Sequence, residues 1–579
     1  MVAVVLLALP AGAWAGRAQT SECPRELCAG VAPDGSRVVF AFGEELTAGV
    51  GRSQVYEWTA GRLRAVIPVP PGASASIPGS FVGESADLQH IFVETALPLA
   101  TGDLDGGAFD VYDLSGGAAT LVSTGPLDGD NASPFMSFMG ASPDGARVFF
   151  DAFSVLTSDD LDNCPDLYQR SAGQTTLVAP EPDPPPPPPL CNSVAFGGVS
   201  ADGSHLFFSS ADDLEPADER GEDIYQQVGS AFTRLTTYPE PEGSCVDLVR
   251  FVDASRDGGT VLFATNSPVT AEDTDSAFDV YKRSPDGTFV LVSHGSDGGS
   301  GQCGLGGDRA IALSADGGTA IFETTARLSP ADTDSSNDLY SADGNGAISL
   351  VSTGRTDPNV DERSVIFPDW VAGVSDDAAH VAFETRQGLV SGDKDNSTDV
   401  YMRTNGQTEL VSTGPLDRDA KSRAELLGVS GDGSTVVFAS TEALAKRDGD
   451  AGRDVYRWRS GPRGPSTTLL SAETIAPRMR ISTHARLLTS GSIKVGLACP
   501  KIETHGPCTG RIRLTQGRAG RTLGRGDFRI AAGRTRRIAV RLKDSHLPPG
   551  PLFAHARGAD QVGNRSTIVR RVAVVRPGR

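Results

Sequence analysis

From about residue 28 to residue 472 the chain alternates short apolar runs with polar turns in one recurring order. The best-defined copy is GVSADGSHLFFSS, residues 198–210, followed by an acidic loop, then EDIYQQ, then FTRLTT. Alternating apolar and polar positions predict strands. Asp-Gly between two such runs predicts a hairpin, because glycine supplies the positive φ that a tight turn demands. Each unit thus holds four strands, A to D. A Ser-x-Asp-Gly turn joins A to B, strand B is apolar and ends near Phe, an acidic loop joins B to C, strand C begins Asp-apolar-Tyr, and strand D resembles TLVST.

Strand B recurs at or near Phe40, Phe92, Phe150, Phe208, Phe263, Phe322, Phe383 and Phe438. The strand C tyrosine recurs at Tyr56, Tyr112, Tyr168, Tyr225, Tyr281, Tyr340, Tyr401 and Tyr456, at intervals of roughly 55 to 61 residues. One four-stranded sheet cannot bury both its faces, so neighbours must stack, and closing the stack into a ring protects most strand edges. The expected fold is all-β: an eight-bladed β-propeller of four-stranded blades over residues 28–472, followed by a small β-sandwich over residues 473–579. The run PDPPPPPPL, residues 182–190, reads as a stiff polyproline spacer between the third and fourth blades.

Charge separates the second unit from the first. Residues 473–579 carry 22 Lys and Arg against 5 Asp and Glu, so about +17 sits there and about -38 on the rest of a chain whose net charge is -21. Segments such as GRIRLTQ, RRIAVRLKD and STIVRRVAVV alternate basic and apolar positions as sandwich strands do. The stretch ADQVGNRS, with Asp560, Gly563 and Asn564, resembles the late hairpin of bacterial immunoglobulin-like domains. Two uses suit such a module: docking onto the acidic face of its own propeller, or holding an anionic envelope polymer. Nucleic acid is not expected, because the basic residues lack interleaved aromatics and the propeller would repel phosphate.

The Ser-Pro-Asp-Gly turn at Ser142 to Gly145, its relatives SADG, SRDG and SGDG, the apolar strand that follows and the later Asp-Val-Tyr resemble the propeller repeats of the TolB-like family. The likeness covers about three quarters of the chain. It implies an extracytoplasmic propeller of the kind found in envelope scaffolds and peptidase-associated proteins, and it implies no particular ligand. The chain departs from TolB itself in having eight units where TolB has six, and in carrying the second domain behind the ring.

The opening run MVAVVLLALPAGAWAGRA closes on Ala13-Trp14-Ala15, the pattern of a secretory signal peptide over residues 1–15, ahead of an N-terminal segment at 16–27. Secretion or an envelope location follows, with no transmembrane span expected and a monomer as the working state. In an exported chain eight cysteines read as disulfides. Nearness suggests Cys23 with Cys28 and Cys499 with Cys508; blade geometry suggests Cys164 with Cys191 and Cys245 with Cys303.

The loops from B to C carry the candidate chemistry. An Asp-x-Asp-x-x-x-Asp spacing recurs at Asp160, Asp162, Asp166; at Asp273, Asp275, Asp279; at Asp332, Asp334, Asp338; at Asp393, Asp395, Asp399; and at Asp448, Asp450, Asp454. The second blade stretches it to Asp103, Asp105, Asp110, the fourth puts Arg220 at the middle position, and the first lacks it. Calcium is the candidate cofactor, since alternate loop positions can aim carboxylates at one centre. The competing reading is a structural turn in which the Asp before Val-Tyr ties the loop to strand C.

No Gly-x-Ser-x-Gly elbow, His-Glu-x-x-His or P-loop occurs, and His205 and His380 share one repeat position, with His90 close to it, which marks a repeat position more than a catalytic set. The expected function is a non-catalytic binding or scaffold protein for protein or an anionic envelope polymer. The rivals are a carbohydrate lyase or hydrolase with its site at the channel, and a calcium-dependent adhesin.

Overall fold

In the computed structural model the strands and tight turns between residues 29 and 575 are described, except 48–53, 69–78, 128–135, 180–193, 215–221, 238–247, 295–307, 355–372, 446–452, 472–478, 500–506, 560–564 and shorter gaps within loops. Residues 1–15, read above as a signal peptide, the polyproline run and Cys23, Cys28, Cys191, Cys245 and Cys303 lie outside the described residues. Among the described residues there is no helix. The first unit comprises eight antiparallel sheets of four strands, each in the order A-B-C-D along the chain, from Ala29–Val31 to Ser466–Leu469.

Each blade is drawn from consecutive residues, so no strand is exchanged between the ends of the chain, and closure depends on packing. Each seam between neighbouring blades has its own apolar cluster. At the closing seam, Ala29, Val38, Phe40, Tyr56 and Trp58 of the first blade pack with Val437, Ala439, Val455 and Leu470 of the eighth. The Arg457 guanidinium sits over the Trp58 ring at 4.2 Å and donates to the Gly35 carbonyl at 3.3 Å, and the Asp432 N–H donates to the Pro33 carbonyl at 2.9 Å.

The repeated aromatic pair holds each blade. In seven blades the strand B phenylalanine lies directly opposite the strand C tyrosine, as in Phe208 with Tyr225 and Phe438 with Tyr456. In the second blade Val93 faces Tyr112, while Phe92 points to the other face and stacks on Phe138 of the third blade at 5.0 Å. A one-residue displacement in strand B moves a side chain to the opposite face of the sheet. All eight strand C tyrosines are fully buried.

The A-B turns repeat one geometry. Ser142 Oγ donates to Asp144 Oδ1 at 2.6 Å, the Ala146 N–H donates to the same oxygen at 3.0 Å, and the Arg147 N–H donates to Ser142 Oγ at 2.9 Å. Adjacent turns also join through the backbone, with Arg256 N–H to Ala315 O, Ala315 N–H to Asp376 O and Asp376 N–H to Gly431 O at 2.7 to 2.8 Å. Proline occupies the donor position of this link in the first and third blades, at Pro33 and Pro143, and has no N–H to give.

The C-terminal unit is a seven-stranded sheet with its own core of Ile493, Val495, Ile512, Leu514, Phe528, Ile538 and Val540. All seven strands are hydrogen-bonded into one closed, barrel-like sheet. The strand order is 480–487, 492–498, 535–542, 522–530, 508–516, 552–559, 565–575, and the last strand pairs in parallel with the first, closing one barrel. Strands of nine and eleven residues, Cys508–Gln516 and Arg565–Val575, are long enough to run along both partners and leave no free edge. Cys499 and Cys508 form the expected disulfide where two strands end, and Cys164 in the propeller is also disulfide-bonded.

Candidate functional site

The acidic B-C loops are built around the buried strand C tyrosine. In five blades its hydroxyl donates to the first aspartate of the loop: Tyr112 to Asp103, Tyr168 to Asp160, Tyr281 to Asp273, Tyr340 to Asp332 and Tyr401 to Asp393. The same hydroxyl accepts a loop N–H, for example from Leu328 at 3.3 Å. Burial first, and then the adjoining carboxylate, pushes these phenols far above their usual range, so each stays a proton donor. The Asp-to-Tyr spacing therefore reflects the length of loop that returns a carboxylate to the hydroxyl.

The third aspartate ties strand C to the end of strand D. Ser123 donates to Asp110 at 2.8 Å, Ser293 to Asp279 at 2.8 Å, and Ser352, Ser412 and Ser471 donate to Asp338, Asp399 and Asp454 at 2.5 Å. Each serine oxygen in turn accepts the next strand C N–H, such as Val280 at 3.1 Å and Val455 at 3.0 Å. In the fourth blade Thr236 plays this part toward Asp223. In the third, Ala179 stands at the serine position and Asp166 remains buried. The first blade lacks the Asp motif but keeps the role: buried Gln54 Oε1 accepts the N–H groups of Val55 and Ile67, both at 3.0 Å.

The middle aspartates Asp105, Asp162, Asp275, Asp334 and Asp450 lie outside the described residues, as do Asp448, the first of its triplet, and Arg220. In the seventh blade the whole triplet is described. Asp393, Asp395 and Asp399 each bring one carboxylate oxygen within 4.8 Å of the others. Asp393 Oδ1 accepts the Asp395 N–H at 3.1 Å, and Asp395 Oδ1 accepts the Ser397 N–H at 2.7 Å. Burial, and the charge on Asp395, raise the Asp393 carboxyl above its usual range.

The three histidines of strand B are spacers between blades. His90, His205 and His380 press their rings against Gly145, Gly258 and Gly433 in the A-B turn of the following blade. A Cβ on Gly145 would stand 2.5 Å from the His90 ring, and its φ of 70° is itself a glycine conformation. Each ring is anchored by strand C of its own blade, through Asp113 at 2.8 Å, Gln226 at 2.7 Å and Thr404 at 2.9 Å.

Strand A is the inner edge of each blade, where backbone N–H groups lack a partner strand. Carboxylates serve several of them across the seams: Glu94 accepts the Phe138 N–H at 2.8 Å, Asp253 the Leu313 N–H at 2.6 Å and Glu384 the Leu426 N–H at 2.6 Å. Glu84 differs. It ends strand A of the second blade at a position occupied elsewhere by Val31, Ala141, Val199, Ala254, Leu313, Val374 and Val429. Its carboxyl lies against Gly30 of the first blade, it is 6% exposed, and its Oε2 has no hydrogen-bond partner among the described residues. Burial alone pushes Glu84 up to about 8. Superposing the repeats by their turns would have exposed this exception in the sequence.

On the A-B side an open cleft of about 400 Å³ spans the fourth to sixth blades, lined by Asp202, Arg256, Asp257, Ala315 and Asp316. Turn hydrogen bonds hold Asp257 and Asp316 below the usual carboxylate range. Asp202 falls to about 2 as bonds from Ser200 and Ser204 outweigh the opposing effect of burial. The cleft therefore offers fixed negative charge, without a group poised to exchange a proton at neutral pH. No family model matches the chain, and no curated protein does.

Proposed function

We propose that this chain is a secreted or envelope-associated binding protein without catalytic activity, in which a TolB-like propeller is the rigid platform and the basic, immunoglobulin-like C-terminal module meets a protein or an anionic envelope polymer. One observation carries this reading: the Asp, Tyr and His residues that resemble active-site groups recur at equivalent positions in several blades, the Asp and Tyr bonded to each other within a blade and the His packed against the next one. General acid–base chemistry needs two carboxyls with separated pKa values facing a substrate. Glu84, whose carboxyl is raised to about 8, is closed off against Gly30.

The test is to immobilise the full chain and pass fractionated envelope polysaccharides and proteins over it. Retention of a polymer whose length is unchanged on elution is expected. A shortened polymer with new reducing or unsaturated ends would make the chain a hydrolase or lyase and overturn the reading.

A calcium-dependent form of the same reading is favoured by the convergence of Asp393, Asp395 and Asp399. Three carboxylates at that range repel one another, and a divalent cation would relieve the repulsion through its oxygen ligands. Calcium added to chelator-treated full chain should then release heat and raise the melting temperature; no heat and no shift would leave these loops as turns.

A further inference from the structure

We infer that one row of arginines on the outer face of the C-terminal barrel binds a linear acidic polysaccharide. This rests on the binding reading above and names the ligand class and the place. Strand register puts Arg541 directly opposite Arg525, and Arg525 directly opposite Arg513, so three guanidinium groups cross three adjacent strands in line. The next row sets Arg511 opposite Arg557. All five are exposed. Among the described residues the one carboxylate bonded within these rows is Asp527, held by Arg511 at 2.9 Å.

Like charges directly opposite on a sheet destabilise it, so a row of three without acidic partners costs the fold and is relieved by a bound anion. The row does not grow a fourth charge at its end. His555 faces Arg513, its Nε2 is 2.9 Å from Thr515 Oγ1, and burial first, then Arg513, hold its basicity below the ordinary histidine range.

Adjacent strands lie ~5 Å apart, so the row offers one guanidinium every ~5 Å. A glycan with one carboxylate or sulfate per pyranose unit repeats its charge on a similar scale, and each guanidinium can grip such a group with two parallel hydrogen bonds. Single-stranded nucleic acid fits less well, because it asks for ring stacking and the rings on the strand beside the row, Phe553 and His555, are half-buried and buried.

The experiment titrates polygalacturonate into the full chain and into the variant Arg513→Gln/Arg525→Gln/Arg541→Gln, with neutral dextran and single-stranded DNA as further arms. The parent should bind polygalacturonate in a salt-sensitive way and ignore dextran, and the variant should bind at least ten-fold more weakly while melting at the same or a higher temperature. If the parent binds and the variant binds equally well, the row is not the site, although the chain is still a polymer binder. If the parent fails to bind polygalacturonate, or prefers DNA, the ligand class is wrong; capture of a different polymer or protein in the retention test would then leave the general binding reading standing.

Discussion

Replacing Glu84 with glutamine should stabilise the ring at neutral pH and leave it unchanged in mild acid. An acid whose folded pKa is raised is destabilising once the unfolded chain can ionise. For Glu84 that window opens near the ordinary glutamate value of 4.5 and closes near the folded value of about 8. Within it the folded state holds a proton that the unfolded state has released, so stability falls with rising pH at about 1.4 kcal/mol per unit. The accumulated loss is ~3 kcal/mol at pH 7 and ~5 kcal/mol above pH 8. Glutamine copies the neutral carboxyl in size and cannot ionise, so Glu84→Gln should recover most of that amount at neutral pH and nothing near pH 4.5. Urea unfolding of both proteins, followed by tryptophan fluorescence in mildly acidic, neutral and mildly alkaline buffer, reads the difference directly. A gap that does not change with pH, or a variant that is weaker in all three buffers, would show that the Glu84 carboxylate is ionised in the folded ring and refute the reasoning.

Tyr340→Phe should cost ~1 to 3 kcal/mol in the same assay, because it strips Asp332 and the Leu328 N–H of their shared partner in a buried loop. Gly433→Ala should destabilise more than Gly203→Ala. Both sites have positive φ, which costs ~1 to 2 kcal/mol for a non-glycine residue, but a Cβ at Gly433 also meets the His380 ring whereas the space around Gly203 is open. Ala378, which holds a φ of 54° in the seventh A-B turn, should accept glycine with a gain of up to ~1 kcal/mol, measurable as a higher urea midpoint. In acid the signs reverse from those at Glu84. The turn carboxylates of Asp144, Asp202, Asp257, Asp316, Asp377 and Asp432 are held low, so they stabilise the fold above the ordinary aspartate range, and that contribution should be lost as pH falls through it.

The blades were legible in the sequence because their determinants are local. A period of two, an Asp-Gly turn and a following Phe and Tyr act within one unit, and repetition multiplies the signal. Even the irregular turns follow the frame, since Leu88 and Ala378 take the positive φ that glycine takes elsewhere. What escaped depends on contacts between units. The role of the first Asp is set by a tyrosine on the next strand, that of His380 by a glycine one blade away, and the isolation of Glu84 by Gly30 across a seam. Closure of the C-terminal strands into one barrel turns on the parallel pairing of His484 with Ala573, far apart in sequence. The arginine row is of the same kind: alternation shows which residues point outward, whereas only register shows that Arg541, Arg525 and Arg513 stand in line.

The measurement that bears most directly on the division of labour between ring and barrel is hydrogen–deuterium exchange of the full chain with and without polygalacturonate. Protection confined to the strands Cys508–Gln516, Thr522–Ile530 and Thr535–Leu542, with the propeller loops unchanged, is the expected result. Protection centred on the A-B turns around Asp202, Asp257 and Asp316, or on the acidic B-C loops, would place the binding surface on the ring and contradict the account.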